Sequence, residues 1–316
     1  MKDVISFIDS HQKFAVLTHL NPDGDALGSA YALARALNNL GRKAEVILLC
    51  APPAKYDFKQ FRPLFKLLDD VSFDDYEAVL TVDCATKQRL SAAQELFDAK
   101  PNCNIDHHVS NTNYAQVNYV QDLPATGEIV YYLARELGAP INETINMAVY
   151  MAIATDTGNF TYSNTKKSTL ELFSCLVNDD LPLAKMADRI FNRRTLGATK
   201  LIARFIENIR FHFEGQLAVS TIMLDEIEEC GAKLEDNEIL IDYAREIEGV
   251  EIAAFIRELR EGAYKVSLRA NEYADVGDMA ARFGGGGHVK AAGCMIKGEL
   301  YDVMDKVVST ARDYLK

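Results

Sequence analysis

The first half of the chain alternates short apolar runs with amphipathic stretches, and no other feature of the sequence limits its fold as strongly. Strands are predicted over 14–18, 44–49, 78–83 and 102–106, and helices over 25–41, 91–97 and 126–138. Thr126 is predicted to cap the last helix, and Gly41 and Gly138 lie where left-handed C-caps are favoured. Strand and helix in alternation indicate an α/β fold with a mostly parallel, doubly wound sheet covered on both faces.

The pattern changes after residue 180. The predicted elements are a long polar-faced helix over 181–211, a strand over 216–223, a hairpin over 252–270 and a helix over 300–316. They indicate a smaller α+β domain with a meander-like sheet. The chain is therefore divided into a first domain over 1–185, a helical linker over 186–212 and a second domain over 213–316.

Charge and cysteine usage limit the classes of partner. A net charge of −12 over 316 residues argues against a protein that holds long duplex DNA by neutralising its phosphates. The six cysteines are scattered, so we expect buried thiols in a reducing cytoplasm. The first ten residues do not read as a secretory signal, and the longest uncharged run, 144–155, is about half a membrane span. We expect a soluble, cytoplasmic protein without a membrane partner.

Acidic and imidazole side chains come directly after the predicted strands. His19 follows the first strand and Asp83 closes the third, while an Asp-His-His triplet at 106–108 ends the fourth. Because the carboxyl ends of parallel strands share one edge of a sheet, where ligands bind, we expect these side chains to converge. An apolar helical run that ends at Asp156 is predicted to approach the same edge.

Asp23 and Asp25 add two carboxylates directly behind His19. Taken alone they also fit an acidic turn that caps a helix. Four close carboxylates would repel one another unless cations lay between them. Oxygen ligands with few imidazoles and no thiolate suit Mn²⁺ or Mg²⁺, and two such ions clamp a phosphoryl group during its displacement. The predicted metal ligands are His19, Asp23, Asp25, Asp83, His107 and Asp156.

Five segments resemble the motifs of a known family. They are HLNPDGDALGS at 19–29, VDCAT at 82–86, DHH at 106–108, TDTGNF at 155–160 and ARFGGGGHVKAAG at 281–293. The first four are similar to the motifs of the DHH phosphoesterases, in the RecJ-like superfamily, and the fifth to their associated substrate-binding domain. The chain looks most similar to the branch that trims very short oligoribonucleotides (nanoRNases) and dephosphorylates 3′-phosphoadenosine 5′-phosphate (pAp).

The resemblance implies a division of the ligands between two Mn²⁺ ions, with Mg²⁺ as the alternative metal. His19 and Asp23 would hold one ion. Asp25, His107 and Asp156 would hold the other, with Asp83 between the two. The active site would lie in a cleft between the domains, where a water activated by the metals attacks phosphorus.

The resemblance also implies catalytic roles for neighbours of these ligands. His108 would contact the scissile phosphate or polarise the leaving oxygen, and Asp106 would orient a neighbouring imidazole or brace the loop. Together with the bridging Asp83 they are the predicted catalytic residues.

The glycine run at 284–287 has two interpretations. Backbone amides without side chains can approach an anion, and HVKAAG at 288–293 is predicted to begin a helix whose N-terminus favours phosphate. Four glycines are also typical of a flexible linker. By the resemblance, this segment grips the substrate end opposite the reacting phosphate. The predicted substrate contacts are Gly285, Gly286, Gly287, His288, Arg269 and Arg89, although Arg269 could instead pair with a surface acid.

Three classes of function stay open at this point. The first is a 3′-5′ exonuclease and phosphatase that acts on short oligoribonucleotides or pAp. The second is another hydrolase on the same framework: a phosphodiesterase of cyclic dinucleotides or of products such as pApA, or a pyrophosphatase or polyphosphatase, which the glycine segment disfavours. The third is a nucleotide sensor without catalysis. An acidic chain without tryptophan disfavours a processive DNA exonuclease, and a homodimer is left open.

Overall fold

The computed structural model describes residues 1–178, 181–237 and 239–316, apart from the side chain of Glu235. These residues form two compact units, Met1–Arg193 and Arg194–Lys316. None of the helices described has the length and apolar character that a membrane span requires. All six cysteines carry free thiols. Four are buried as predicted, but Cys50 is half-buried and Cys175 is exposed on its helix, so the expectation of six buried thiols is wrong.

The first unit is built on a six-stranded parallel sheet. Its strands are β1 Lys13–Leu17, β2 Lys43–Leu48, β3 Phe65–Leu67, β4 Ala78–Val82, β5 Asn102–Asp106 and β6 Val117–Val120. Their order is β3-β2-β1-β4-β5-β6, which confirms the doubly wound fold. The sequence patterns missed β3 and β6, because these short edge strands have no fully buried residue and hence no apolar run.

Helices cover both faces of this sheet. They are α1 Lys2–Asp9, α2 Gly24–Asn39, α3 Gln94–Ala99, α4 Thr126–Glu136, α5 Glu143–Asp156, α6 Lys167–Leu176 and α7 Leu183–Ala187. Successive strand residues point to opposite faces. Phe14 and Val16 of β1 therefore pack in the core under α2, α4 and α5, while Ala15 and Leu17 pack in a second core that includes α3.

Small residues bring α2, α4 and α5 close together. A Cβ atom on Gly28 of α2 would lie 2.4 Å from the carbonyl oxygen of Ala148 in α5. A Cβ atom on Gly127 of α4 would lie 2.4 Å from the Cβ of Ala152. Since real side chains do not approach so closely, glycine at these positions is what lets the ends of the three helices meet at the edge of the sheet.

The second unit contains a mixed six-stranded sheet. Its strands are β7 Arg210–His212, β8 Leu217–Ile222, β9 Ile252–Arg260, β10 Ala263–Ala270, β11 Gly286–His288 and β12 Ala291–Lys297, in the order β11-β12-β10-β9-β8-β7. The predicted β9–β10 hairpin is confirmed, but a simple meander is wrong. β8 and β9 are parallel, because helices in their connection allow a crossover, and β12 separates β11 from β10.

In the described part of the second unit, five α-helices pack on this sheet. They are α8 Leu196–Glu207, α9 Leu224–Cys230, α10 Leu240–Arg245, α11 Val276–Ala281 and α12 Leu300–Ala311. α11 and α12 contribute to one core, which includes Val266 and Leu268 of β10. α8, α9 and α10 pack with Ala253 and Phe255 of β9 in a core on the other face. The face of β10, β11 and β12 opposite the first core carries half-buried and exposed residues.

The single long helix predicted over 181–211 is wrong. α7 runs into a π-helical turn at Asp188–Asn192, the chain is extended at 193–195, and the Thr195 hydroxyl caps a new helix, α8, by accepting a hydrogen bond from the amide of Ala198. Ile190 packs in the first unit's core and Leu201 in the second unit's. The boundaries at 185 and 213 stay predictions.

The predicted helix ends are partly right. Gly41 and Gly138 have φ angles of +81° and +70°, which confirms their left-handed conformations. Thr126 is not the cap of α4, since Ala125 occupies that position and Thr126 is the first helical residue. Its hydroxyl donates instead to the carboxylate of Asp83.

Candidate metal centre

The carboxyl ends of β1, β4 and β5 bring the predicted ligands together. His19 lies two residues after β1, Asp83 follows β4 directly, and Asp106 is the last residue of β5. Asp25 lies in the first turn of α2, and Asp156 ends α5. The sheet edge therefore collects side chains from three strands and two helices, as the sequence pattern predicted.

His19 presents an unpaired nitrogen to two carboxylates. Its Nδ1–H donates to the carbonyl oxygen of Leu20 at 2.8 Å, so Nε2 carries the lone pair. Nε2 is buried without a hydrogen-bond partner in the part of the chain described, 3.9 Å from Asp23 Oδ2 and 3.8 Å from Asp83 Oδ2. Burial lowers the pKa of His19, which favours the neutral ring. A buried lone pair facing two carboxylates is the environment of a cation ligand.

His107 repeats this arrangement on the other side of Asp83. Its Nδ1–H donates to the carbonyl oxygen of Leu123 at 3.0 Å. Its Nε2 lies 3.3 Å from Asp156 Oδ2, 3.4 Å from Asp83 Oδ1 and 3.9 Å from Asp25 Oδ2. The backbone contact thus orients the ring so that its second nitrogen faces three carboxylates.

Asp25 is a fully buried carboxylate held by the start of α4. It accepts hydrogen bonds from the amides of Thr126 at 2.7 Å and Gly127 at 2.9 Å, and from the Ser29 hydroxyl at 2.8 Å. The partial positive charge of a helix N-terminus favours an anion at this place. Burial nevertheless raises the pKa of Asp25 to about 6, so these bonds do not compensate fully for the loss of water.

For Asp83 and Asp156, hydrogen bonds compensate even less for the cost of burying a negative charge. Burial, followed by the charges of Asp25 and Asp23, raises the pKa values of both well above the ordinary range. Asp156 also stands at the C-terminus of α5, where the helix dipole disfavours an anion. Asp83 has a φ angle of +53°, a conformation uncommon for a residue with a side chain. Such strain and repulsion at one point are typical of a site that holds cations.

The candidate ligands fall into two groups, one on each side of the Asp83 carboxylate. In each group the ligand atoms lie within 4.8 Å of one another. The groups are His19, Asp23 and Asp83, and Asp25, His107 and Asp156. A third set with equally close ligand atoms, Asp83, Asp106, His107 and His108, overlaps both groups. Because Asp83 Oδ2 faces His19 and Asp83 Oδ1 faces His107, Asp83 lies between the groups. Cys84 packs in the core, so the donor set is oxygen with two imidazoles, which fits hard divalent cations such as Mn²⁺ or Mg²⁺.

Asp106 organises the loop after β5. Its Oδ1 accepts from His108 Nδ1 and from the amide of His107, each at 2.8 Å, and its Oδ2 accepts from Asn111 Nδ2 at 2.5 Å. Burial alone would raise the pKa of Asp106, but the bonds from His108 and Asn111 bring it below its ordinary value. Sequence reasoning missed Asn111, whose only signal was its place five residues after Asp106. Nε2 is the ring nitrogen of His108 left for a substrate.

Arg89 lies near the metal centre in the first unit. It is exposed in a 3-10 turn at Lys87–Ala93, and its carbonyl oxygen accepts from the amide of Leu20, next to His19. Its charge contributes to the lowered pKa of His19, after burial. The backbone contact therefore places Arg89 beside the segment that carries His19.

The predicted helix after the glycine run is wrong. Residues 286–297 form a hairpin of β11 and β12, in which His288 pairs with Ala291. A Cβ atom on Gly285 would lie 2.2 Å from the carbonyl oxygen of Gly293, and one on Gly287 would lie 2.4 Å from that of Ala291. Close packing of the hairpin thus requires glycine at 285 and 287, whereas Gly286 faces open space.

The hairpin and Arg269 share one face of the second sheet. The register places Arg269 beside Ala291, which pairs with His288, and Ser267 beside Gly293, which pairs with Gly286. Two residues before Ser267 on the same face, Lys265 pairs with the exposed Met295. The middle of this face therefore consists of small residues, and the cationic side chains of Lys265 and Arg269 lie on either side of Ser267 along β10. Sequence reasoning missed Ser267 and Lys265, which only the strand register assigns to it.

Comparisons with known proteins agree with this architecture. Residues 13–155 match the model of the DHH family, N-terminal domain, and residues 214–316 match that of the DHHA1 domain. The bifunctional oligoribonuclease and PAP phosphatase NrnA of Thermus thermophilus is 32% identical over 305 residues, which cover 95% of this chain and 89% of that protein. The chain belongs to the DHH family.

Solved structures place this DHH protein among known folds. The crystal structure of an exopolyphosphatase-related protein from Bacteroides fragilis superposes with a TM-score of 0.92 at 21% identity, covering 99% of this chain and 95% of that one. RecJ of Thermus thermophilus in complex with Mn²⁺ has a TM-score of 0.58 at 13% identity, covering all of this chain and 55% of RecJ. At such identities these likenesses show the fold, which confirms the RecJ-like architecture.

Proposed function

We propose that this DHH protein is a metal-dependent phosphoesterase that hydrolyses short oligoribonucleotides from the 3′ end, pAp, or both. One observation carries the proposal: the buried carboxylate of Asp83 lies between two groups of candidate ligands, with one oxygen 3.8 Å from His19 Nε2 and the other 3.4 Å from His107 Nε2. The name of the Thermus thermophilus relative, an oligoribonuclease and PAP phosphatase, supports this choice of substrates.

The ligand assignment is part of the proposal. His19 and Asp23 would hold one Mn²⁺, Asp25, His107 and Asp156 would hold the other, and Asp83 would contact both, with Mg²⁺ as the alternative metal. When bound, such a pair of cations supplies positive charge that activates water and stabilises the charge on phosphate oxygens. The unpaired Nε2 atom of His19 supports the assignment, because a buried acceptor without a partner is costly unless a cation meets it.

His108 and Asp106 would complete the catalytic set. With Nδ1 bonded to Asp106, the His108 ring is fixed, and Nε2 can donate a hydrogen bond to a phosphate oxygen or to the leaving ribose oxygen. The carboxylate of Asp106 stabilises positive charge on that ring, and Asn111 holds the carboxylate in place. The role of the pair is to orient a proton donor rather than to bind metal.

The face of the second sheet that the hairpin shares with Arg269 would bind the part of the substrate that is distant from the reacting phosphate. Arg269 and His288 supply charged or polar donors, while Gly286 leaves the backbone open to an anion. Gly285 and Gly287 would serve by keeping the hairpin tight, and Arg89 would contact phosphate at the first unit. A homodimer and a cytoplasmic location stay predictions; sedimentation at several protein concentrations tests the first.

The test is a panel of substrates hydrolysed with Mn²⁺: RNA of two to ten nucleotides, pAp, pApA and pyrophosphate. We expect hydrolysis of the short RNA or pAp, near-complete loss in Asp83→Ala, and no loss in Glu136→Ala, which removes an exposed carboxylate of the same unit. Preference for pApA or pyrophosphate would favour another hydrolase of this framework. Tight nucleotide binding without turnover would favour a sensor.

The proposed binding face has its own control. Arg269→Ala should raise KM for dinucleotides about tenfold, as expected for loss of a hydrogen bond to a charged group, with little change in kcat. Arg260→Ala removes an exposed cation of the same sheet and should leave KM unchanged. Equal effects of the two variants would show that general charge, not this face, attracts the substrate.

A further inference from the structure

Thr126 contacts two buried carboxylates of the metal centre. Its hydroxyl donates to Asp83 Oδ1 at 3.1 Å, and its amide donates to Asp25 Oδ2 at 2.7 Å. All three residues are buried. We infer that Thr126 is a positioning residue, whose hydroxyl fixes the rotation of the Asp83 carboxylate so that one oxygen faces each group of ligands. This inference rests on the metal centre proposed above.

The geometry of Asp83 shows why a hydrogen bond that fixes its carboxylate is needed. Oδ2 lies 3.8 Å from His19 Nε2, and Oδ1 lies 3.4 Å from His107 Nε2. The Thr126 hydroxyl supplies the one hydrogen bond that this carboxylate accepts among the described residues. Rotation about the last side-chain bond of an aspartate is broad, so without a donor the two oxygens would have no fixed assignment. The hydroxyl marks Oδ1 as the oxygen on the His107 side.

The surroundings of Thr126 hold the hydroxyl firmly. The next residue is Gly127, whose missing side chain lets α4 approach Ala152 of α5. The residue after it, Glu128, accepts a hydrogen bond from the Thr169 hydroxyl of α6 at 2.7 Å. The first turn of α4 is thus fixed by α5 and α6 before any ligand binds, and outer groups fixed in this way are the ones that orient metal ligands.

A purely structural role makes a different prediction. If Thr126 only filled space at the start of α4, valine would replace it, since valine has nearly the same shape. Serine would then be the worse substitute, because it lacks the methyl group. If the hydroxyl positions Asp83, the order reverses: Thr126→Ser keeps the function and Thr126→Val loses it.

The experiment measures Mn²⁺ binding by titration calorimetry and the coupling between two Mn²⁺ ions by electron paramagnetic resonance. We expect Thr126→Val to bind the weaker Mn²⁺ about 10- to 100-fold less tightly, the usual cost of an outer partner, with a loss of the coupled-pair spectrum. Thr126→Ser should stay within about threefold of the unchanged protein. Ser220→Ala removes an equally buried hydroxyl, which donates to the carbonyl oxygen of Phe205 in the second unit, and it should leave both readouts unchanged.

The outcomes separate this inference from the proposed function. Two coupled Mn²⁺ ions in the unchanged protein and the same affinity and spectrum in Thr126→Val would overturn the positioning role alone. An unchanged protein that binds no pair of ions would overturn the metal centre and this inference with it. If Thr126→Val does not fold, Thr126→Ala also removes the hydroxyl, without placing a methyl group beside Asp83, and is judged by the same comparison with serine.

Discussion

The metal centre and the glycine hairpin differ in burial and in charge. Asp25, Asp83 and His19 are 0%, 2% and 4% exposed, so the first unit buries charge and must compensate for it. Strand β11 of the hairpin is exposed, and much of what it offers is backbone, while β12 packs in the core of the second unit. A buried charged site links function to stability, because the same repulsion acts on folding and on metal binding. An exposed backbone site separates them, since the loss of a contact there leaves the core intact.

The largest expected effect is at Asp156, on the buried side of this comparison. Asp156→Asn should remove one group of ligands while His19, Asp23 and Asp83 remain. We expect activity to fall more than the ~100-fold that loss of an outer partner costs, with one Mn²⁺ still bound per chain. Equilibrium dialysis and initial rates measure both. Unchanged stoichiometry would show that Asp156 is not a ligand, and Glu143→Ala, at the other end of α5, serves as the control.

Removal of metal should make the stability of the first unit depend on pH. Burial raises the folded-state pKa of Asp25 to about 6, above its ordinary value of 3.8. A raised carboxyl pKa means that the folded state binds protons more tightly, so its stability is complete below pH about 4 and falls as pH rises to about 6. Two pKa units correspond to about 3 kcal/mol. Urea unfolding in EDTA from pH 4 to 7 measures this loss, and saturating Mn²⁺ should reverse it; a flat profile in EDTA would contradict the prediction.

Asn111 tests how much of the buried site depends on residues that are not ligands. Asn111→Ala removes the bond to Asp106 Oδ2 and should lower kcat about 10- to 100-fold, because His108 loses its fixed orientation. Mn²⁺ binding should change little. A loss of Mn²⁺ affinity equal to the loss of kcat would place Asn111 with the ligands instead.

The smallest effect is expected in the hairpin, where two adjacent glycines differ. Gly286→Ala adds a methyl group in open space and should weaken dinucleotide binding a few-fold without changing stability. Gly285→Ala places its Cβ 2.2 Å from a carbonyl oxygen, so it should destabilise the second unit by about 1–3 kcal/mol. Thermal unfolding and KM separate the two results. Equal destabilisation by both would remove the contrast between the exposed hairpin and the buried centre.

The sequence predicted the metal centre better than the hairpin for a physical reason. His19, Asp83 and Asp106 follow apolar strands, and a parallel sheet must bring the ends of such strands to one edge. Nothing similar constrains residues 288–293, where small residues fit both a helix start and a tight strand. Residues 291–297 form a strand, β12, because they pair with β10 in the sheet. The prediction of one long helix over 181–211 was wrong for a similar reason, because its first half packs in the core of the first unit and its second half in a core of the second unit.

The sequence alone therefore determined the fold class, the order of its motifs and the identity of the candidate ligands, because periodicity and residue chemistry are local properties. Only the tertiary structure decided which oxygen of Asp83 faces each histidine, that Thr126 and Asn111 hold Asp83 and Asp106, and that Gly286 and Arg269 share a face. Those facts depend on distances between atoms far apart in the chain. Such distances are set by the packing of α2, α4 and α5 and by strand register.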